Sequence, residues 1–258
     1  MAIPGKQPHF VLFPFMAQGH MIPMMDIARL LSKRGVLVTL LITPHNQNRL
    51  KTVISRAIDS RLSIQVVNIK FPSAEAGLPE GSENFDMVPT IDDALKFFKA
   101  TSMLKVQVQE LLQELKPFPS CLISDLWYPW TTKVAQNLHI PRILFHGTSC
   151  FSLICMHMLA TTKDFEAIAS DTEYFAVPGL PDRIEITKAQ LRGRAKEVPS
   201  EWAKLREEIR EAEVEAFGTV ANTFEELEFE YVKQYKKIKG KKLWCIGPVS
   251  LCNKDELD

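Results

Sequence analysis

The sequence predicts an α/β domain, an open parallel sheet with helices on both faces. Three observations lead there. Short apolar, β-branched runs alternate with helix-spaced stretches along most of the chain, the pattern of parallel strands joined by crossover helices. The runs are near-continuous in apolar residues, as strands buried on both faces are. The chain also opens on a strand, a glycine-containing loop and a helix in direct succession.

That first unit lies in HFVLFPFMAQGHMIPMM (9–25). Phe10, Val11, Leu12 and Phe13 form a short buried strand that Pro14 ends. Gln18, Gly19 and His20 interrupt the apolar pattern, after which Met21, Ile22, Met24, Met25, Ala28, Leu30 and Leu31 recur at helical spacing. VLVTLLI (36–42) is a second strand. Thr43 and Pro44 then supply an N-cap and a proline at the first helical position. The helix they start runs through Leu50, Val53, Ile54 and Ile58, and IQVVNI (64–69) is a third strand.

The pattern lapses over residues 70–89, where prolines, glycines and acidic residues predict a long loop of the functional or mobile kind. One helix then spans Ile91 to Leu115, with apolar positions at a period near 3.6, until Pro117 stops it. CLIS (121–124) is a fourth strand with Asp125 at its carboxyl end, followed by Trp127, Tyr128, Trp130 and a helix over 131–138. RILF (142–145) is a fifth strand, leading through His146, Gly147, Thr148 and Ser149 into a helix that reaches Leu159. Residues 170–200 read as irregular, and 201–216 as a charged helix with a solvated face. A strand over 219–222, a helix over 225–235 and a last strand over 241–246 complete the pattern. Residues 251–258 read as the start of a linker.

Composition narrows the function classes. The 258 residues can bury a substantial core as one large domain or as two smaller ones. Lys plus Arg equals Asp plus Glu, at 31 each, so no global field favours nucleic acid or a membrane surface. No apolar run reaches the roughly 18 residues of a transmembrane helix, so no membrane anchor is expected. MAIPGKQPH lacks a secretory apolar region, which predicts a cytoplasmic protein. The five cysteines show no Cys-x-x-Cys pair, which argues against a disulfide framework and a zinc site. His9, His45, His139 and His157 lack partners at metal-ligand spacing, so no metal site is expected.

Two residues carry candidate chemistry. His20 follows the first strand and Asp125 ends the fourth, so both fall on the carboxyl edge of one sheet, where α/β enzymes place their sites. A carboxylate that orients an imidazole makes a general base. Spacing alone equally allows His20 to start a helix and Asp125 to cap one. Trp127, Tyr128 and Trp130 fit either a pocket for a flat ligand or plain packing. FMAQGH has one glycine, which excludes both the Gly-x-Gly-x-x-Gly dinucleotide fingerprint and a P-loop, and no Gly-x-Ser-x-Gly elbow occurs.

PHFVLFPFMAQGHMIPMMDIARLL resembles the opening of the plant family 1 UDP-dependent glycosyltransferases, as do CLISD, NTFEELE and WCIGPVSLCNK in the same order. TPHNQNRL and FPSAEAGLPEGSEN resemble the subgroup acting on triterpenoids, steroids and flavonoids. The resemblance implies a GT-B fold, two Rossmann-like domains facing each other across a cleft. Residues 1–250 match only its N-terminal, acceptor-binding half, and a C-terminal donor-binding domain is absent. It implies His20 as general base with Asp125 as its partner, in an inverting transfer of sugar from a UDP-sugar to an acceptor hydroxyl. By loop position it places Phe15, Phe85, Trp127 and Phe151 on the acceptor and Gly19, Gly147 and Thr148 towards the donor. Many family members carry a threonine at the position of Gly147, so a side-chain contact there is lost. It further implies no cofactor beyond the UDP-sugar co-substrate, a small-molecule acceptor as the other partner, and a monomer when intact. The competing reading is a truncated, non-catalytic module that binds a hydrophobic small molecule.

Overall fold

The computed structural model describes residues 7–162, 170–191, 200–240 and 242–252. Seven strands form one sheet in the order β3-β2-β1-β4-β5-β8-β9, with every neighbouring pair parallel. They are β1 (His9–Phe13), β2 (Leu37–Ile42), β3 (Ile64–Asn68), β4 (Cys121–Asp125), β5 (Arg142–His146), β8 (Gly218–Ala221) and β9 (Lys242–Cys245). The chain winds outward from β1 to β3, then returns to the other side of β1 to lay down β4. That reversal makes β1 and β4 neighbours, with Phe13 opposite Ser124, and opens a crevice beyond their carboxyl ends.

Period-two alternation sorts the side chains of β1 to two cores. Val11 and Phe13 pack with α4 (Ile91–Met103), α5 (Lys105–Glu114) and α6 (Thr131–Asn137) through Phe97, Leu104, Val108, Leu112 and Val134. Leu12 packs on the other face with α1 (Gln18–Ser32) and α3 (Lys51–Asp59) through Met21, Met24, Met25, Ala28 and Ile54. A third cluster joins α7 (Cys150–Thr161) to α9 (Glu225–Lys239) beside Ala221. Helices therefore cover both faces, and among the described residues none is long and apolar enough to cross a membrane.

Several elements differ from the sequence reading. The helix expected over 91–115 breaks at Leu104. Just before the break, the Thr101 and Ser102 hydroxyls donate to the Phe98 and Lys99 carbonyls (2.7 Å each), and such back-bonding bends helices. The helix expected from Pro44 divides into α2 (Pro44–Arg49) and α3 at Leu50. Within 170–191 a hairpin forms from β6 (Tyr174–Ala176) and β7 (Glu185–Thr187), strands too short to show a period of two. The charged helix α8 (Ser200–Glu215) has the expected solvated face, and its other face packs: Trp202 and Leu205 lie on the core and Ala212 is buried. The expected strand start at Lys241 and the tail from 253 to 258 lie outside the described residues, as do residues 192–199 of the irregular stretch. Leu251 and Cys252 belong to a 3-10 turn, Val249–Cys252, whose Val249 is buried in the α1-side core.

The loop over 70–89 is clasped rather than free. Asn46 and Asn84 are both fully buried, and the Asn84 amide donates to the Asn46 carbonyl oxygen (2.7 Å). Asn46 in turn donates to Thr43 Oγ1 (2.9 Å) and to the Glu83 carbonyl (2.8 Å). The Phe85 N–H donates to the Met16 carbonyl (2.8 Å), which brings the loop up to the chain leaving β1. Replacing Asn46 with Ala strands the Asn84 amide and the Glu83 carbonyl, and should cost about 1–3 kcal/mol, read as a lower urea midpoint.

Candidate active site

His20 stands in the first turn of α1, where the Ala17 carbonyl accepts its N–H (3.0 Å). Pro23 brings no N–H to the Gly19 carbonyl, so that oxygen lacks its helical donor. Asp125 is the last residue of β4, on the strand next to the one that delivers His20. The two meet: His20 Nδ1 lies 2.7 Å from Asp125 Oδ2, with the carboxylate fully buried and the imidazole 26% exposed. The other carboxylate oxygen accepts the Trp127 N–H (3.1 Å), so the aspartate has a donor on each oxygen.

This geometry sets the tautomer. An ionised carboxylate only accepts, so the neutral imidazole carries its proton on Nδ1 and leaves the Nε2 lone pair open. Burial works against a charged His20, but the hydrogen bond and negative charge of Asp125 outweigh it, and the His20 pKa is raised above its ordinary 6.5. A proton arriving at Nε2 therefore enters a site built to hold the resulting charge.

Aromatic rings back this pair. Phe15 is 2% exposed and sits at the centre of the group. It meets the His20 ring edge-on at 5.4 Å, stacks on Phe98 at 5.6 Å, and lies 5.5 Å from Phe85 and 6.0 Å from Trp127. The sequence reading thus brings Phe15, Phe85 and Trp127 into one wall with His20. Phe151 does not join them: its ring packs edge-on against Tyr231 at 5.1 Å, between α7 and α9. Phe98 and Trp202 do belong to the group, with rings 5.3 Å apart, and were missed. The spacing of Trp202, Leu205, Ile209 and Ala212 on α8 was the signal for an inward stripe. A cleft of about 650 Å³ lies on the α8 side of Phe98 and Trp127, where Trp130 and Leu205 share its lining with charged side chains such as Lys96, Lys204 and Glu208, and His20 does not line it.

The glycines bring two loops together. A methyl added to Gly147 would stand 3.5 Å from the Gly19 carbonyl oxygen and 3.7 Å from the Phe145 ring, so the turns after β1 and β5 lie in contact. Thr148 beside them is exposed. The position after them is held by Glu228, whose carboxylate accepts the N–H groups of Cys150 (2.8 Å) and Phe151 (2.7 Å) at the start of α7. Thr223 also donates to Glu228, so two polar residues of the NTFEELE segment meet at this helix start. On the far side of Gly19, a hollow of about 460 Å³ is lined by Gln18, Ile22, Asn222 and Ser250. His9 is a satisfied core histidine, bonded to the Pro117 carbonyl and Thr39 Oγ1.

The chain is similar to a family and to proteins already known. Residues 8–251 match the family described as glycosyltransferase, N-terminal domain. The chain is 53% identical over 247 residues to UDP-glycosyltransferase 73C11 of Barbarea vulgaris, covering 95% of this chain and 50% of that protein. UDP-glycosyltransferase 73C1 of Arabidopsis thaliana is 52% identical over the same shares. Among solved structures, UGT73P12 of Glycyrrhiza uralensis, complexed with glycyrrhetinic acid 3-O-monoglucuronide, superposes with a TM-score of 0.86 at 34% identity. That match covers 97% of this chain and 51% of the other. The chain thus spans about half the length of the relatives it matches.

Two consequences can be measured on the chain itself. Asp125→Asn removes the negative charge beside His20 and leaves at most a neutral hydrogen bond, so its pKa should fall from its raised value, read by NMR titration of the imidazole. Because the folded pKa is raised, the pair's contribution to stability is complete below about 6.5 and is lost as pH rises through the folded value. The stability difference between wild type and Asp125→Asn should therefore shrink over that interval, as urea unfolding at several pH values will show.

Proposed function

Because the chain belongs to the glycosyltransferase N-terminal domain family of the plant UDP-glycosyltransferases, we propose that it is the acceptor-binding, general-base half of an inverting enzyme. That enzyme transfers a sugar from a UDP-sugar to a hydroxyl of a small hydrophobic plant metabolite, a triterpenoid, steroid or flavonoid. The observation that carries the reading is the 2.7 Å bond from His20 Nδ1 to the buried Asp125 carboxylate, which leaves Nε2 as the base.

The steps follow from that geometry. An acceptor hydroxyl gives its proton to His20 Nε2 as its oxygen attacks the anomeric carbon of the sugar. The bond from that carbon to the UDP oxygen breaks on the opposite side, which inverts the centre. Asp125 stabilises the imidazolium that forms, and it is not itself protonated. The ring wall of Phe15, Phe85, Phe98 and Trp127 beside His20 supports a flat, hydrophobic acceptor. The glucuronide-bearing ligand in the Glycyrrhiza structure supports the triterpenoid class in particular. Gly19, Gly147 and Thr148 face the donor, whose nucleotide we assign to a second domain in the half of the relatives that this chain does not span. The reading carries with it a cytoplasmic monomer that uses the UDP-sugar as co-substrate and needs no cofactor. Capture of a ligand without chemistry is the weaker reading, because it leaves the oriented imidazole unused.

In a protein that joins this chain to a donor-binding domain, His20→Ala should lower kcat by roughly 10²–10⁴, measured as UDP released with a triterpenoid or flavonoid acceptor. Near-normal turnover would sink the assignment. Since the neutral imidazole is the base, turnover should rise with pH through the raised His20 pKa, with its midpoint above 6.5. The 258-residue chain alone should release little or no UDP under the same conditions.

A further inference from the structure

Arg142 on β5 is 3% exposed, and each of its five N–H donors has an acceptor. Nε donates to Ser124 Oγ (2.8 Å), and Nη1 to Thr132 Oγ1 (2.7 Å) and the Ala212 carbonyl (3.3 Å). Nη2 donates to the carbonyls of Asp125 (3.2 Å) and Tyr128 (3.4 Å). Four of the five acceptors thus lie between residues 124 and 132, the segment that carries Asp125 out of the sheet and turns into α6. Ser124 and Thr131 share a further hydroxyl bond inside that turn (2.8 Å), and Thr131 donates to the Tyr128 carbonyl (2.6 Å).

The acceptors are all hydroxyls and carbonyls, so none of these bonds pairs the guanidinium with an anion. A cation buried this way is expensive unless a countercharge stands near. Burial brings the Arg142 pKa down to about 10, and the Asp125 charge opposes the drop, so the side chain is still a cation at neutral pH. Asp125 is thereby the anion that acts on both His20 and Arg142. The other titratable groups around this turn are the buried Tyr128, the exposed Lys133 on α6 and, on α8, Glu213 with the exposed Glu208, Glu211 and Glu215. Glu213 is already bound by Tyr235 (2.9 Å) and Lys239 (2.7 Å), and Glu211 is exposed.

We propose that Arg142 is a positioning residue for the His20–Asp125 pair. Its planar fork holds the 124–132 turn so that the Asp125 carboxylate meets His20 Nδ1, and its charge balances that carboxylate while the imidazole is neutral. Lysine cannot substitute, because an ammonium has three donors and no fixed plane. The inference rests on the glycosyl-transfer reading only for its catalytic consequence. The arrangement itself is a matter of geometry.

The test is an NMR titration of His20 in the 258-residue chain, comparing wild type, Arg142→Lys and Thr132→Val, with Asp125→Asn as the reference for a lost pair. Arg142→Lys keeps the charge but loses the fork, so the His20 midpoint should drop from the wild-type value towards that of Asp125→Asn. Thr132→Val removes one acceptor, keeps the side-chain shape, and should move the midpoint the same way by less. If Arg142→Lys does not fold, Thr132→Val decides. A folded variant with a lowered melting temperature and a wild-type His20 midpoint would show that Arg142 serves only to tie β4 and α8 together, and would overturn the proposal. The titration needs no turnover. If the wild-type chain joined to a donor-binding domain transfers no sugar, the functional reading alone is removed, while normal transfer there with an unmoved His20 in the Arg142 and Thr132 variants removes this one alone.

Discussion

The arrangement at the carboxyl edge depends on one buried carboxylate. Asp125 is shut off from water, and an isolated anion there would be costly enough to favour its own protonation. It stays useful because His20 Nδ1 and the Trp127 N–H occupy its two oxygens. Each donor comes from a different place, one from the helix after β1 and one from the turn after β4. The pairing of β1 with β4 is therefore a condition of the chemistry as well as of the fold.

Opposing electrostatic effects meet at His20, and their balance decides what the residue can do. Its place in the first turn of α1 puts it near the positive end of a helix dipole, which disfavours an imidazolium. Partial burial acts in the same direction. The Asp125 bond outweighs burial, so a proton can be accepted without leaving a bare charge behind. Arg142 beyond Asp125 extends the series to cation, anion and imidazole, with a backbone turn as its frame.

The acceptor side is built differently, from rings and a clasped loop. Phe15 links the base to the wall, because its ring touches His20 on one edge and stacks on Phe98. Phe85 reaches that wall because the buried Asn46–Asn84 bond and its own N–H bond to the Met16 carbonyl hold the loop it belongs to. A long loop rich in proline and glycine is thus fixed by two amides whose partners would otherwise be unpaired in the interior. Across the edge, Glu228 fixes the start of α7 with a carboxylate, and so sets where Gly147 and Thr148 sit.

The seven strands of the main sheet, most of the helices and the places of His20 and Asp125 at carboxyl ends are legible in the sequence alone. Those features are local: apolar runs, helical spacing and the residues that interrupt them act over a few positions. Strand order is not local. His20 and Asp125 are 105 residues apart, and only the return of the chain to the far side of β1 brings them within a hydrogen bond. The same holds for the ring wall, where Trp202 arrives from the packed face of a charged helix, and for Phe151, whose loop position suggests the wall but whose ring turns to Tyr231. It holds most plainly for Arg142, at the start of a largely apolar strand, because a buried guanidinium is defined by what surrounds it. Packing between distant segments decides those surroundings, and no short stretch of sequence encodes them.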